Sequence, residues 1–372
     1  MKKKILATTY DSGAAKAMYS IIKSLGQLSD LEVITIIEGP AQNIFTSKGT
    51  RYVTLSSYDL KEDFYSAMHI FDKEKPDLVF TGISEFYNME RYFLHLARIN
   101  KIPSISIIEG SDYTSIRLKD SKIDPNFRFN PDYLLAVDEF TFDSMLREGF
   151  ENNRLILTGH PGYDEMLILK RNFNLEDLLK TRQDLGIKND SYLVMFLSQP
   201  RFNSIKINPE EDNGYNELTV ISDLEDALSN LNIDNLSLFI KIHPREDLNL
   251  TRTALKGRLK NVFIDKDYDT QRAILASNLI TGMFSLSLIE SVYLDRDTIS
   301  LQPGLNKEDR LITNKLGLTV PVYKKEDIIP TLKKVIYDKD FKKQLEERRG
   351  KLKLDGKSTE RVVNFICKTL NI

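Results

Sequence analysis

Short β-branched apolar runs alternate with amphipathic helical patterns along the whole chain, and the runs show little polar alternation within themselves. A strand that is apolar on both faces has to be covered on both, as in a parallel sheet with helices above and below it. In the first half the runs are Lys4 to Thr9, Leu31 to Ile37, Arg51 to Leu55, Asp77 to Thr81, Ser104 to Ile108 and Tyr133 to Val137. Helical patterns between them cover roughly Ala14 to Leu25, Leu60 to Lys73, Met89 to Asn100 and Phe140 to Glu148. This predicts a doubly wound α/β sheet.

A second series begins after a stretch of poor apolar density, with strands at Ser191 to Leu197, Leu236 to Ile242, Val262 to Ile264, Leu279 to Thr281 and Thr298 to Leu301. Its helices are expected at roughly Gly214 to Leu231, Asp269 to Ala276, Leu286 to Leu294, Lys325 to Tyr337, Asp340 to Lys351 and Ser358 to Leu370. A length of 372 residues suits two such domains better than one core. The expected division is 1–165 and 166–372, with a hinge near Gly162 to Asn174, a cleft between the halves, and helix 358–370 free to pack back on the first domain.

Lys plus Arg number 52 against 54 Asp plus Glu, so no large field favours nucleic acid, and no nucleic-acid-binding signature occurs. The single cysteine, Cys367, rules out a disulfide framework within the chain and suits a reducing, cytoplasmic setting. Lys2, Lys3 and Lys4 precede an apolar run of only three residues, too short for a signal peptide, and no stretch is long enough to span a bilayer. Lys333, Lys334, Lys342, Lys343, Arg348 and Arg349 offer a basic helical face for peripheral contact with anionic lipid, although interleaved Asp338, Asp340, Glu346 and Glu347 favour an ordinary solvated helix.

In open parallel sheets ligands sit beyond the carboxyl ends of strands, which selects six loops: Tyr10 to Gly13, Gly82 to Glu85, Glu109 to Asp112, Ser198 to Arg201, His243 to Arg245, and Gly282 to Ser287. The last opens a helix with Ser285 and Ser287 and carries Glu290 one turn in. Hydroxyls beside the free N–H groups of a helix start can hold a phosphate or diphosphate, and a carboxylate inside the helix can accept from ribose hydroxyls. The competing reading is a plain capping box of Ser287 and Glu290. Gly282 and the second hydroxyl favour ligand binding. His243, at a strand end before Pro244, can donate to a phosphate oxygen and Arg245 can add a fork of donors; the alternative is a turn shaped by His-Pro. His160, before Pro161, is expected to be structural. Gln199 and Arg201 fall in the substrate-facing loop of the second domain.

On the first domain, Glu109 ends the apolar strand Ile105 to Ile108, where desolvation can raise a carboxylate pKa and suit it to general-base work. Asp112 is the second candidate base, with helix capping as its competitor. Asp11, Ser12 and Gly13 follow the first strand, where a glycine lets a ligand approach the backbone. Glu85 is a further carboxylate for the same site or a helix N-terminal charge. No three-glycine dinucleotide loop, Walker A sequence or Gly-x-Ser-x-Gly elbow occurs, and histidines 69, 95, 160 and 243 have no local partner at ligand spacing. No cofactor and no metal are expected.

The segments Pro131 to Val137, through Gly149 to the run Leu157 to Asp164, then Ile242 to Pro244, then Ser285 to Glu290 with Thr298 to Gly304, resemble the GT-B glycosyltransferases and their relatives. These relatives include UDP-N-acetylglucosamine 2-epimerases, capsule polysaccharide transferases, bacterial sialyltransferases and the glycerophosphotransferases of teichoic acid synthesis. Asp355 to Ile366 is similar to the closing helix of such proteins. The resemblance implies two Rossmann-like domains, the first on the acceptor side and the second holding the nucleotide. In the sialyltransferase-like and capsule-transferase-like groups an acidic-Gly motif supplies the base, and His-Pro and paired Ser/Thr motifs hold the nucleotide phosphate without metal. By resemblance these are Glu109 with Gly110, His243 with Pro244, and Ser285 with Ser287; Ile108 stands where those groups usually have a second carboxylate. In the epimerase group Ser285 would face the diphosphate and Glu290 the ribose, but Ser198 to Arg201 replaces a His-Arg loop and Gly82 to Glu85 lacks an expected Asp.

The function so implied is metal-independent inverting transfer from a nucleotide-activated sugar to a glycan or lipid-linked acceptor in surface polysaccharide or glycoconjugate synthesis. An epimerase or hydrolase of nucleotide sugars and a non-catalytic binding protein are the alternatives. Oligomerisation as a homodimer is left open.

Overall fold

The computed structural model describes residues 2–84, 87–109 and 130–372. They form two compact units, Met1–Glu165 with Lys351–Ile372, and Met166–Gly350.

In the first unit β1 (Lys3–Thr9), β2 (Leu31–Ile37), β3 (Leu78–Thr81), β4 (Ser104–Ile108), β5 (Tyr133–Ala136) and β6 (Leu155–Leu157) form a parallel sheet in the order β2-β1-β3-β4-β5-β6. Its two faces bury alternate side chains of the same strand. Ile5 and Ala7 pack with helices Ser12–Leu25 and Ser358–Leu370, whereas Leu6 packs toward helices Phe64–Glu74 and Asn88–Ile99. That double coverage is why the runs carry no polar alternation.

The expected strand Arg51 to Leu55 does not form. Val53 makes one parallel bridge to Ile36, and the chain then turns into a 3-10 helix at Leu55–Tyr58. The Glu38 carboxylate accepts from Leu55 N at 2.6 Å and Ser57 Oγ from Thr54 N at 3.2 Å, so the donors a ladder would use are already taken. The three-residue edge strand β6 was too short to announce itself.

Helix Ser358–Leu370 closes this unit by burying Val362, Ile366 and Leu370 in the core shared with helix Ser12–Leu25. Its N-terminus is capped from a distance: Ser358 N and Thr359 N donate to the Asp164 carboxylate at 3.1 and 2.6 Å. Arg361 Nε donates to Thr158 O at 2.7 Å, and both its terminal nitrogens grip Asp355.

In the second unit β7 (Tyr192–Leu197), β8 (Leu236–Lys241), β9 (Val262–Asp265), β10 (Leu279–Gly282), β11 (Thr298–Leu301) and β12 (Val320–Val322) are parallel in the order β12-β11-β10-β7-β8-β9. β12 contains Pro321, which an edge strand tolerates and which hides it from a propensity reading. The stretch of poor apolar density is helical, at Asp164–Asn172 and Leu175–Asp184. The second of these helices is anchored by a buried arginine rather than an apolar stripe. Arg182 donates to the carbonyls of Ala276, Asn189 and Ser191 and to Asn278 Oδ1.

Arg349 does not contribute to a basic helical face. That side chain is only 3% exposed and donates to Asp295 at 2.8 Å and Asp297 at 3.1 Å. Among the described residues no helix is long and apolar enough to cross a membrane.

Each sheet reverses its direction of growth once, between β1 and β3 and between β7 and β10. At such a switch point the following loops part to opposite faces and leave a crevice.

Because Asp164 satisfies two otherwise orphaned helix donors, Asp164→Ala should destabilise the first unit by about 1 kcal/mol or somewhat more, while Asp164→Asn should cost less. Urea midpoints and amide exchange at 358–361 check this; unchanged exchange there in the alanine variant contradicts the capping role.

Candidate functional site

At the switch point of the second unit, β7 lies between β8 and β10, so the loops after these three strands are neighbours. Side chains stitch them together. Gln199 Oε1 accepts from Phe284 N at 2.9 Å, and the Arg201 guanidinium lies 5.5 Å from the Phe284 ring centre. Arg201 also pairs with Glu211 at 3.2 Å, so this cation is already engaged. On the other side the buried Glu246 carboxylate accepts from Ser198 Oγ at 2.5 Å and from His243 N.

His243 is half-buried beside exposed Pro244 and Arg245. Its Nδ1 accepts from Arg245 N at 3.1 Å, which leaves the ring proton on Nε2 as a donor. Burial, and then the Arg245 and Lys266 charges, lower its pKa, so the imidazole is neutral near pH 7.

Beyond β10, Ser285 is the N-cap of helix Leu286–Tyr293 but does not cap it with its side chain. Its Oγ is buried with no hydrogen-bond partner. A buried hydroxyl without a partner is uncommon, and this one sits beside helix N–H groups that have no intrahelical acceptor. Ser287 lies inside the first turn, so the capping box of Ser287 and Glu290 does not form; Glu290 is half-buried one turn further on. Gly282 serves packing: a Cβ there would lie 2.9 Å from Leu197 O and 3.1 Å from Leu288 Cδ2. The ends of β8 and β10, on either side of β7, thus offer neutral donors suited to an anion.

In the first unit the switch point brings Asp11, Ser12, Gly13 and Glu109 together. Asp11 is the N-cap of helix Ser12–Leu25, and its N–H donates to Ser84 Oγ at 3.2 Å. A Cβ on Gly13 would lie 1.9 Å from Glu109 Oε2. The half-buried Glu109 carboxylate therefore lies across the end of β3 onto the first turn of that helix. The space the glycine was expected to open for a ligand is filled by this side chain. Glu85, Gly110 and Asp112 lie outside the described residues.

Beneath this group lies Glu90, only 2% exposed and not singled out by its sequence, where it reads as an ordinary first-turn acid. Its oxygens accept from Ser84 N at 2.6 Å and Ser84 Oγ at 3.0 Å. Burial raises its pKa to about 7 against the opposing pull of the Ser84 hydrogen bonds. His160 is buried, accepts from Gly162 N at 3.2 Å through Nδ1, and is kept neutral by that burial. Among the described residues no group of three or more His, Cys, Asp or Glu is placed to hold a metal ion.

Residues 9–368 match the family described as CDP-glycerol:poly(glycerophosphate) glycerophosphotransferase. No curated protein matches the chain. Among solved structures, UDP-GlcNAc 2-epimerase from Neisseria meningitidis, bound to UDP-GlcNAc, is similar with a TM-score of 0.64 and 15% identity over 98% of this chain and 100% of that one. The epimerase from Methanocaldococcus jannaschii gives 0.58 and 17%, covering 99% of this chain and 100% of that one. A glycosyltransferase from Rickettsia africae gives 0.57 and 14%, with 99% of both chains covered. At these identities the likeness establishes the fold, which is GT-B.

Two outcomes follow from the first unit. Gly13→Ala should displace the Glu109 carboxylate and reduce turnover at least about tenfold while leaving nucleotide binding within about twofold; wild-type turnover means the carboxylate's seat is irrelevant. For Glu90 the folded pKa exceeds the unfolded one, so its stabilising contribution is full below about pH 4.5 and is lost as pH rises through about 7. Glu90→Gln should therefore lose less stability than wild type between pH 5 and 8, by on the order of 3 kcal/mol at most. Identical pH dependence of the two urea midpoints contradicts this.

Proposed function

Because the chain belongs to the CDP-glycerol:poly(glycerophosphate) glycerophosphotransferase family, we propose that it transfers glycerol phosphate from CDP-glycerol to a hydroxyl at the end of a glycerophosphate chain. The acceptor oxygen attacks the phosphorus that carries the glycerol, the P–O bond to the cytidylyl phosphate breaks, and CMP departs. The acceptor's proton passes to Glu109.

The reading is supported above all by the unpartnered Ser285 hydroxyl at a helix start, one strand across from the Nε2–H face of His243 on the far side of β7. In the proposed roles these groups and the helix N–H donors take the diphosphate, where charge accumulates as CMP leaves. Ser287 joins them, and Glu290 accepts from the ribose. A nucleotide sugar presents the same diphosphate to the same donors, which is why the sequence leads to an activated sugar first. What separates the two chemistries is the bond that breaks: transfer from a nucleoside-diphosphate sugar cleaves C–O and releases a nucleoside diphosphate, whereas glycerophosphate transfer cleaves P–O and releases a monophosphate. We place the activity in the cytoplasm, with a lipid-linked acceptor presented at the inner face of the membrane.

Incubation with CDP-glycerol should release CMP only when a glycerophosphate acceptor is present. His243→Ala should raise the donor KM at least about tenfold, and Glu109→Gln should lower kcat about a hundredfold or more with donor binding intact. Release of a nucleoside diphosphate from a sugar donor, with none of CMP from CDP-glycerol, overturns the proposal in favour of sugar transfer. Exchange of sugar epimers without release overturns it in favour of an epimerase.

A further inference from the structure

We propose that Glu246 is a positioning residue for the donor site, fixing the His243 turn and the Ser198 loop as one rigid surface. This rests on the reading of His243 as a contact to the donor's diphosphate.

Glu246 closes the turn that begins at His243 from two directions. Its carboxylate accepts from His243 N, and its own N–H donates to His243 O at 2.9 Å. The other carboxylate oxygen accepts from Ser198 Oγ at 2.5 Å, which carries the tie across to the end of β7. Lys266 Nζ, from beyond β9, donates to the Glu246 carbonyl at 3.4 Å. The backbone that carries the imidazole is thus held by a side chain three residues away in sequence and by a serine just past the adjacent strand. Arg245 N on Nδ1 turns the ring so that Nε2–H is presented.

The far end of the Ser198 loop is held in the same manner. Glu217, 2% exposed, accepts from Phe202 N at 2.7 Å. Between the two carboxylates Gln199 takes up Phe284 N at 2.9 Å, so the brace extends to the loop that carries Ser285. The groups that act on Glu246 are Ser198, His243, Lys266 and, as a like charge, Glu217. Burial, with some help from Glu217, raises its pKa against the pull of Ser198 and His243. Such a desolvated carboxylate is a costly way to build a surface turn. Its geometry, however, needs only one acceptor and one group that bonds Ser198. A glutamine can accept from His243 N with its carbonyl and donate to Ser198 Oγ with its amide, whereas alanine can do neither.

The test uses the full chain, with CDP binding by calorimetry, CDP-glycerol kinetics and a urea midpoint for each variant. Glu246→Ala and Ser198→Ala should each weaken CDP binding and raise the CDP-glycerol KM about tenfold or more, with kcat within about threefold. Glu246→Gln should restore both to within about threefold, and the double alanine variant should be no worse than Glu246→Ala, because the two act as one link. Wild-type KM and CDP affinity in Ser198→Ala overturn the inference even if Glu246→Ala does not fold. Failure of a folded Glu246→Gln to rescue overturns it as well, because the charge itself would then be required. If His243→Ala leaves CDP binding unchanged, the donor-site reading beneath the inference fails. If His243→Ala weakens CDP binding while Glu246→Ala and Ser198→Ala do not, only the inference fails.

Discussion

A single reversal of strand order in each sheet sets the chemistry available to this chain. Where neighbouring strands send their following segments to opposite faces, the sheet edge cannot be covered by its own helices, and backbone N–H groups and polar side chains are left facing a crevice. The two crevices are filled differently. That between β1 and β3 gathers Asp11, Ser84 and Glu90 and receives Glu109 from β4, so its character is acidic. That between β7 and β10 gathers Gln199, Phe284 and Ser285 and borders His243, so its character is that of a neutral donor surface. One topology has been used twice, with different electrostatic outcomes.

Loops at a crevice have few apolar contacts to hold them, and here buried carboxylates do that work. Glu90 binds the backbone and hydroxyl of Ser84, Glu246 joins His243 to Ser198, and Glu217 takes Phe202 N. A carboxylate accepts from several directions at once, so one side chain can satisfy donors that belong to different loops. The opposing cost is desolvation, visible as raised pKa values for Glu90, Glu217 and Glu246. Rigidity at the strand ends therefore depends on acceptors placed where water is excluded, and it is sensitive to removal of any one of them.

Much of this architecture is legible in the chain because a strand buried on both faces must be written as a continuous apolar run. The strands from Leu31 to Ile37, Ser104 to Ile108 and Thr298 to Leu301 are bounded where the runs are. The signal fails where another force sets the structure. Pro321 disguises an edge strand, Glu38 takes the donor that a strand at Arg51 to Leu55 would need, and Arg182 holds a helix that lacks an apolar stripe. The candidate site divides in the same way. His243 and Ser285 stand at recognisable strand ends, so position alone selects them. Glu90, Glu217 and Glu246 look like solvent-facing acids near turns or helix starts, since their partners lie 6, 15 and 48 residues away at Ser84, Phe202 and Ser198. Gly13 was read as room for a ligand because the sequence does not reveal that Glu109 returns to fill it.

The hydrogen-bond donors of the candidate surface at His243 and Ser285 are neutral, with the Arg245 and Lys266 charges beside them, and this bears on the kind of charge it can serve. Arg201 is engaged by Glu211, His243 is held uncharged, and Ser285 brings a hydroxyl beside helix N–H dipoles. A full cation placed on the diphosphate would stabilise the bound donor about as well as the transition state, which lowers KM without speeding the chemical step. Fixed dipoles at a strand end gain most where negative charge grows and cannot relax into water. In the proposed reaction that growth occurs on the departing cytidylyl phosphate, on the side of the diphosphate away from the acceptor. A surface of oriented neutral donors, braced by buried carboxylates, is therefore suited to differential stabilisation of the leaving group.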